Sequence, residues 1–150
     1  SWTSMAAAPV GGGALAYPGA GDFIYASQAG TTAFWRYSIS GNSWLAMTAA
    51  PSAVISTAVV ATGGDFIYAF KGDTFTIFYR YSISGNSWST MTDATFGATW
   101  ATALVYPGSG NFIYAIRRIF YAPVNIPAAD DNAHLHAQVF HLMNFIRVEA

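Results

Sequence analysis

The ionisable residues of this 150-residue chain are few enough to weigh one by one: seven Asp or Glu, six Lys or Arg, three His and no Cys. Arg36 and Arg80 recur at equivalent places inside aromatic strings. Two guanidinium groups there could line a groove for a carboxylate or a sugar. They could instead stack on Trp35, Tyr79 or a neighbouring unit and bond turn carbonyls. Repetition in step with the fold favours stacking. Asp22 and Asp65 also recur, with Asn111 in the third copy. Asn keeps the hydrogen bonds of a turn residue but not the acid–base chemistry of a carboxylate, so turn formation is expected. Glycoside cleavage needs two carboxylates about 5–9.5 Å apart. Asp73 and Asp93 are the non-repeating candidates and have no evident partners. His134, His136 and His141 suggest a metal, but spacings of two and five do not gather three imidazoles on one side of a helix. The absence of Cys excludes a thiol nucleophile, disulfides and cysteine–zinc sites. No cofactor, no metal and no catalysis are expected.

The elements that position these residues are repeats. Arg36–Trp44 and Arg80–Trp88 are the same nine letters, Arg-Tyr-Ser-Ile-Ser-Gly-Asn-Ser-Trp. Gly21–Ala26 returns as Gly64–Ala69 and, with Asn for Asp, as Gly110–Ala115. Trp2, Trp44 and Trp88 stand 42 and 44 residues apart. A unit of this size, stacked in copies, gives most of its aromatics a structural task. Each unit reads as four strands. The first is Ala14–Tyr17, Thr57–Ala61 or Ala101–Tyr106. The second is the Phe-Ile-Tyr-Ala run, entered through a glycine turn that needs positive φ. The third is Ala33–Ile39 or Ile77–Ile83. The fourth starts at Trp44 or Trp88 and runs to about Met47 or Met91, with an earlier copy at Trp2–Met5. Ser40-Gly41-Asn42-Ser43 and Ser84-Gly85-Asn86-Ser87 are hairpin turns. Short strands at even spacing predict an all-β array, and a period in the forties with aromatic and glycine marks predicts propeller blades.

Tyr37-Ser-Ile-Ser-Gly-Asn42-Ser-Trp44 resembles the kelch repeat, in which a Tyr, a turn with Asn and a Trp close each unit. Phe-Ile-Tyr-Ala resembles the kelch second strand, and Met47–Pro51 the link to the next unit. The double glycine usual after that strand is replaced by Ser27-Gln28-Ala29-Gly30 and Phe70-Lys71-Gly72, and the usual Asp-Pro after the Tyr by Ser-Ile, so the repeat is divergent. The sialidase Asp-box ranks second, because it needs an Asp in the turn and one more residue before its Trp. The kelch-like resemblance covers residues 1–116: a leading strand at 1–8, blades at 9–50 and 51–95, and a partial blade at 96–116. Copper chemistry of the kelch-like galactose oxidase type is not implied, since residues 1–116 hold no His.

Residues 117–150 break the pattern. Leu135, Val139, Leu142, Met143 and Ile146 fall at helical spacing after Asp130, Asp131 and Asn132, which predicts a short helical tail over 131–148. The change of composition also fits a splice, a rearrangement or a reading-frame error. Propellers close with about four to eight blades, so this partial β-propeller would leave open faces. They point to a longer array, a covering tail or self-association of copies.

Hydrophobic residues are 53%, aromatics 17% and charged residues 9%, with a net charge of −1. That balance offers no electrostatic attraction for nucleic acid. No apolar run is long enough to span a membrane. Scarce Lys with abundant Ser, Thr and Gly suggests an extracellular or cell-surface protein. The start at Ser1 lacks a basic segment followed by an apolar run, so any signal peptide is expected to be absent or removed. Ligand candidates are the positions where the copies disagree, because the scaffold does not dictate them. In the first unit these are Gln28, Thr31 and Thr32; in the second, Lys71, Asp73 and Phe75. Phe96 and Trp100 also lack counterparts. The resemblance places this loop on a face often used for binding. The leading expectation is a non-catalytic scaffold for a protein or glycan, with Arg36 and Arg80 as further candidates. The alternatives are a fragment of a carbohydrate-active propeller enzyme, its catalytic residues on missing blades, and a structural repeat that self-assembles through open blade edges.

Overall fold

The computed structural model describes residues 1–9, 11–53, 59–71, 77–91, 101–110, 112–117 and 144–149. Asp73, Asp93, Phe75, Phe96, Trp100 and the three His lie outside them. The described residues are all-β, with no helix. The first sheet is an antiparallel meander of β1 (Gly13–Ala16), β2 (Phe23–Gln28), β3 (Phe34–Ser38) and β4 (Ser43–Ala46). The second repeats it with β5 (Val59–Ala61), β6 (Phe66–Phe70), β7 (Phe78–Ser82) and β8 (Ser87–Thr90). The third has β9 (Ala101–Val105), β10 (Phe112–Arg117) and β11 (Asn144–Glu149), in the order β11-β10-β9.

The second strand of the second sheet, β6, is buried on both faces, because its alternate side chains serve different neighbours. Ile67 and Ala69 join Tyr25, Phe34, Ala16 and Tyr81 in the core between the first and second sheets. Tyr68 and Phe70 join Phe78 and Ile113 in the core between the second and third. Ile67, Phe70 and Phe78 are fully enclosed, and each such burial contributes roughly 1.5–3 kcal/mol. Aromatic rings fill the gaps: Phe34 meets Tyr81 edge-on at 4.8 Å and Trp88 at 5.0 Å. The first strands of successive sheets lie side by side, β1 against β5 and β5 against β9.

Two expectations need correction. The described end of the predicted helix over 131–148 is strand: Asn144–Glu149 pairs with β10, while 131–143 lie outside the described residues. Phe145, Ile146 and Val148 are strand formers, and an antiparallel partner satisfies the backbone edge of β10, which outweighs the helical spacing. The register then places Arg147 opposite Tyr114, as Arg36 stands opposite Tyr25 and Arg80 opposite Tyr68. Phe145-Ile146-Arg147 thus takes the position of Phe34-Trp35-Arg36. The second correction is at Trp2–Met5, which forms no strand; Trp2 stands wholly in solvent.

Ser27 is buried opposite Phe34, and its Oγ has no hydrogen-bond partner. The equivalent position in the second sheet is Phe70. An unsatisfied buried hydroxyl costs about 1–3 kcal/mol. Ser27→Ala is therefore expected to raise the urea midpoint of unfolding by the equivalent of ~1 kcal/mol, read by circular dichroism.

Candidate functional site

The repeated polar residues hold the two complete sheets together in the same way. Asp22, just before β2, accepts hydrogen bonds from the Ser38 hydroxyl at 2.6 Å, the Ser40 amide at 2.7 Å and the Ser40 hydroxyl at 2.9 Å. Asp65 accepts from the Ser82 hydroxyl and the Ser84 amide, both at 2.7 Å. These donors, the serine hydroxyls first and the turn amides next, hold both carboxyls below the usual aspartate range. The carboxylates are turn staples, as the Asn in the third copy suggested.

Asn42 and Asn86 take the positive φ of their turns, 44° in each case. Asn tolerates that backbone conformation better than most side chains. Asn42 Oδ1 accepts the Tyr37 hydroxyl at 2.8 Å and the Ala6 amide at 2.6 Å. Asn86 Oδ1 accepts the Tyr81 hydroxyl at 2.8 Å and the Thr48 amide at 3.0 Å. The indole N–H of Trp44 then donates to the Ala6 carbonyl at 3.2 Å, and that of Trp88 to the Thr48 carbonyl at 2.9 Å. Tyr, Asn and Trp of each string thus clamp the backbone of the link that enters their unit. The sequence pattern marks the three residues but not their partner, which lies some forty positions upstream.

Arg36 and Arg80 stack on Phe23 and Phe66, at 4.1 and 4.5 Å from the ring centroids. Trp35 and Tyr79 are not the partners, because adjacent residues of a strand point to opposite faces. The Phe rings sit diagonally across the strand pair on the Arg face. Burial raises the Tyr25 hydroxyl above its ordinary value, against the opposing charge and hydrogen bond of Arg36. Burial, then the neighbouring Tyr25, pushes Tyr81 up to about 12. The arginines therefore stack on rings of their own sheets.

The loop after β2 is built from its own polar groups. The Gln28 amide donates to the Ala33 carbonyl at 3.2 Å, and the Thr31 amide to the Gln28 carbonyl at 3.3 Å. The Thr31 hydroxyl faces the Gln28 carbonyl at 3.2 Å and accepts the Ala33 amide at 3.1 Å. Thr32 is exposed, and its carbonyl accepts the Ala50 amide at 2.8 Å. Lys71 occupies the Gln28 position in the second sheet and makes the same backbone bond, to the Ile77 carbonyl at 3.1 Å. Gln28, Thr31 and Thr32 thus form one cluster, while Lys71 begins its counterpart, whose Asp73 and Phe75 lie outside the described residues. The described residues contain no group of three or more His, Cys, Asp or Glu placed to hold a metal. They also contain no helix long and apolar enough to cross a membrane. No protein-family model matches the chain, and no curated protein matches it.

The aspartate staples set an acid limit. Their folded carboxyls ionise below 3.8, so the folded state releases protons that the unfolded chain still binds. The stability they supply is present above that value and is lost as pH falls through the folded pKa. The urea midpoint is expected to drop on acidification below about pH 4. In Asp22→Asn/Asp65→Asn it should change less over the same window, as urea titrations at stepped pH would record.

Proposed function

We propose that this chain is part of a non-catalytic β-propeller scaffold with kelch-like blades, binding a protein or glycan through the loops that follow the second strand of each blade. Blades around an axis require side-by-side first strands, and β1 against β5 and β5 against β9 are consistent with it. One observation carries the binding role: in the loop after the second strand the backbone bond is the same in both units while the side chain changes from Gln28 to Lys71. The same loop position thus presents a neutral amide in one unit and a cation in the next. Asp22 and Asp65 are committed to turns, which leaves catalysis without a carboxylate pair among the described residues. The low charge of the chain favours a ligand met through hydrogen bonds and apolar contact, and its composition suits a place outside the cell.

The test is retention of the full chain on immobilised oligosaccharide and extracellular-protein arrays. Gln28→Ala/Lys71→Ala is expected to weaken a retained ligand at least tenfold, ~1.4 kcal/mol, with the thermal midpoint unchanged. Equal retention by the variant, or no retention of the parent chain on either array, contradicts the proposal.

A further inference from the structure

We propose that Arg80 is the anion-binding group of a site for a uronate, the carboxylate-bearing ring of an acidic sugar, on the face of the second sheet turned to the third. The inference stands apart from the loop reading above. Phe66, on which Arg80 stacks, opens β6 at the end opposite the loop that begins with Lys71.

The two inter-sheet faces follow one pattern but differ in charge. On the first, Arg36 stands opposite Tyr25 and stacks on Phe23. Asp65 of the next sheet bears on the same place. The Tyr25 and Tyr81 hydroxyls, both raised first by burial, also feel Arg36 and Asp65 with opposite signs. A cation and an anion share that face.

On the second face Arg80 stands opposite Tyr68 and stacks on Phe66 in the same way. Tyr68 lies in the core shared with Ile113 of the third sheet, and Phe66 packs against it. Residues directly opposite in an antiparallel pair share a face, so Arg80 lies on the side turned to the third sheet. There the repeat changes its letters. The third copy spells Asn111 where the second has Asp65. Val148 stands opposite Ile113 as Tyr81 stands opposite Ile67, a smaller residue without a hydroxyl. The position that brings an acid to Arg36 therefore brings none to Arg80. A half-buried guanidinium on an aromatic ring is suited to take a carboxylate through two parallel N–H donors.

The surroundings select what carries the carboxylate. Tyr106 follows Val105, opposite Tyr114, as Ala61 follows Val60, opposite Tyr68. The second face thus gains a phenol where the first has a methyl group. The Tyr106 hydroxyl donates to the Gly110 carbonyl at 3.0 Å, which fixes the ring, and the ring packs half-buried against the same core as Phe66. A fixed tyrosine offers an apolar body beside a polar tip, a match for the C–H face of a pyranose. Acidic peptide motifs are read by clusters of arginine, and this chain has six Lys and Arg in all. One guanidinium beside one phenol fits a single carboxylate on an otherwise neutral ring.

Isothermal titration of the 150-residue chain with oligogalacturonate is expected to give saturable binding, about tenfold tighter than neutral galactan of equal length. Arg80→Gln should weaken it about tenfold with the circular dichroism unchanged. Asn111→Asp supplies the acid that the first two copies carry and leaves Arg80 in place. It should weaken binding by a similar factor, and it decides the matter if Arg80→Gln does not fold. No saturable binding of oligogalacturonate, equal binding of the neutral polymer, a folded Arg80→Gln that binds as the parent does, binding indifferent to Asn111→Asp, or tighter binding of an oligoglutamate of equal charge overturns the proposal. Each of these outcomes leaves the loop reading standing, since Gln28 and Lys71 lie at the other end of their strands.

Discussion

A side-chain amide oxygen that serves a tyrosine hydroxyl and a distant backbone N–H at once couples a local turn to the path of the whole chain. Asn42 and Asn86 do this from the left-handed corner of their turns, and the tryptophan two residues later completes the hold by donating to the same link. Within a sheet the hydrogen-bond ladder alone would set the register. Between sheets the chain has only short links, and these need a fixed entry point. The Tyr–Asn–Trp set supplies it, so the aromatic face of one sheet arrives against the next with Phe34, Tyr81 and Trp88 already interleaved.

Low charge shapes how the rest is stabilised. With so few ionic groups, the polar work falls to serine hydroxyls, backbone amides and two aspartates. Each such bond contributes about 0.5–1.5 kcal/mol net, but here the bonds are grouped at the two turns of each sheet. Cation–π contacts hold each arginine on a ring of its own sheet, Arg36 on Phe23 and Arg80 on Phe66. What is left to vary is the loop after the second strand. There the backbone bond persists while the side chain changes from Gln28 to Lys71.

The strands were legible because the repeats state their own boundaries: identical letters fold identically, and β3 and β7 fall inside the predicted third segments. The turn role of Asp22 and Asp65 was legible too, since Asn111 shows which property the position needs. Three things were hidden. The partner of the Trp and Asn is a backbone link, and backbone leaves no mark in a sequence. The partner of the arginines required strand register, which places Phe23 rather than Trp35 on their face. In the tail, helical spacing of apolar residues concealed Phe145-Ile146-Arg147, a copy of the third strand reduced to its Phe and Arg. The matching spacing of Phe34 and Arg36 was the signal that would have found it. Of the loop candidates, Gln28 and Thr31 hold their own turn, a contact between neighbours that composition does not reveal.

The account depends most on the clamp, and amide hydrogen exchange at Thr48 tests it most directly. The amide is donated to Asn86 from outside any strand, so nothing else protects it. It should exchange slowly in the parent chain and at the free-peptide rate in Asn86→Ala, while amides in β2 and β3 stay protected. Free-peptide exchange at Thr48 in the parent chain, or protection unchanged by Asn86→Ala, would contradict the account.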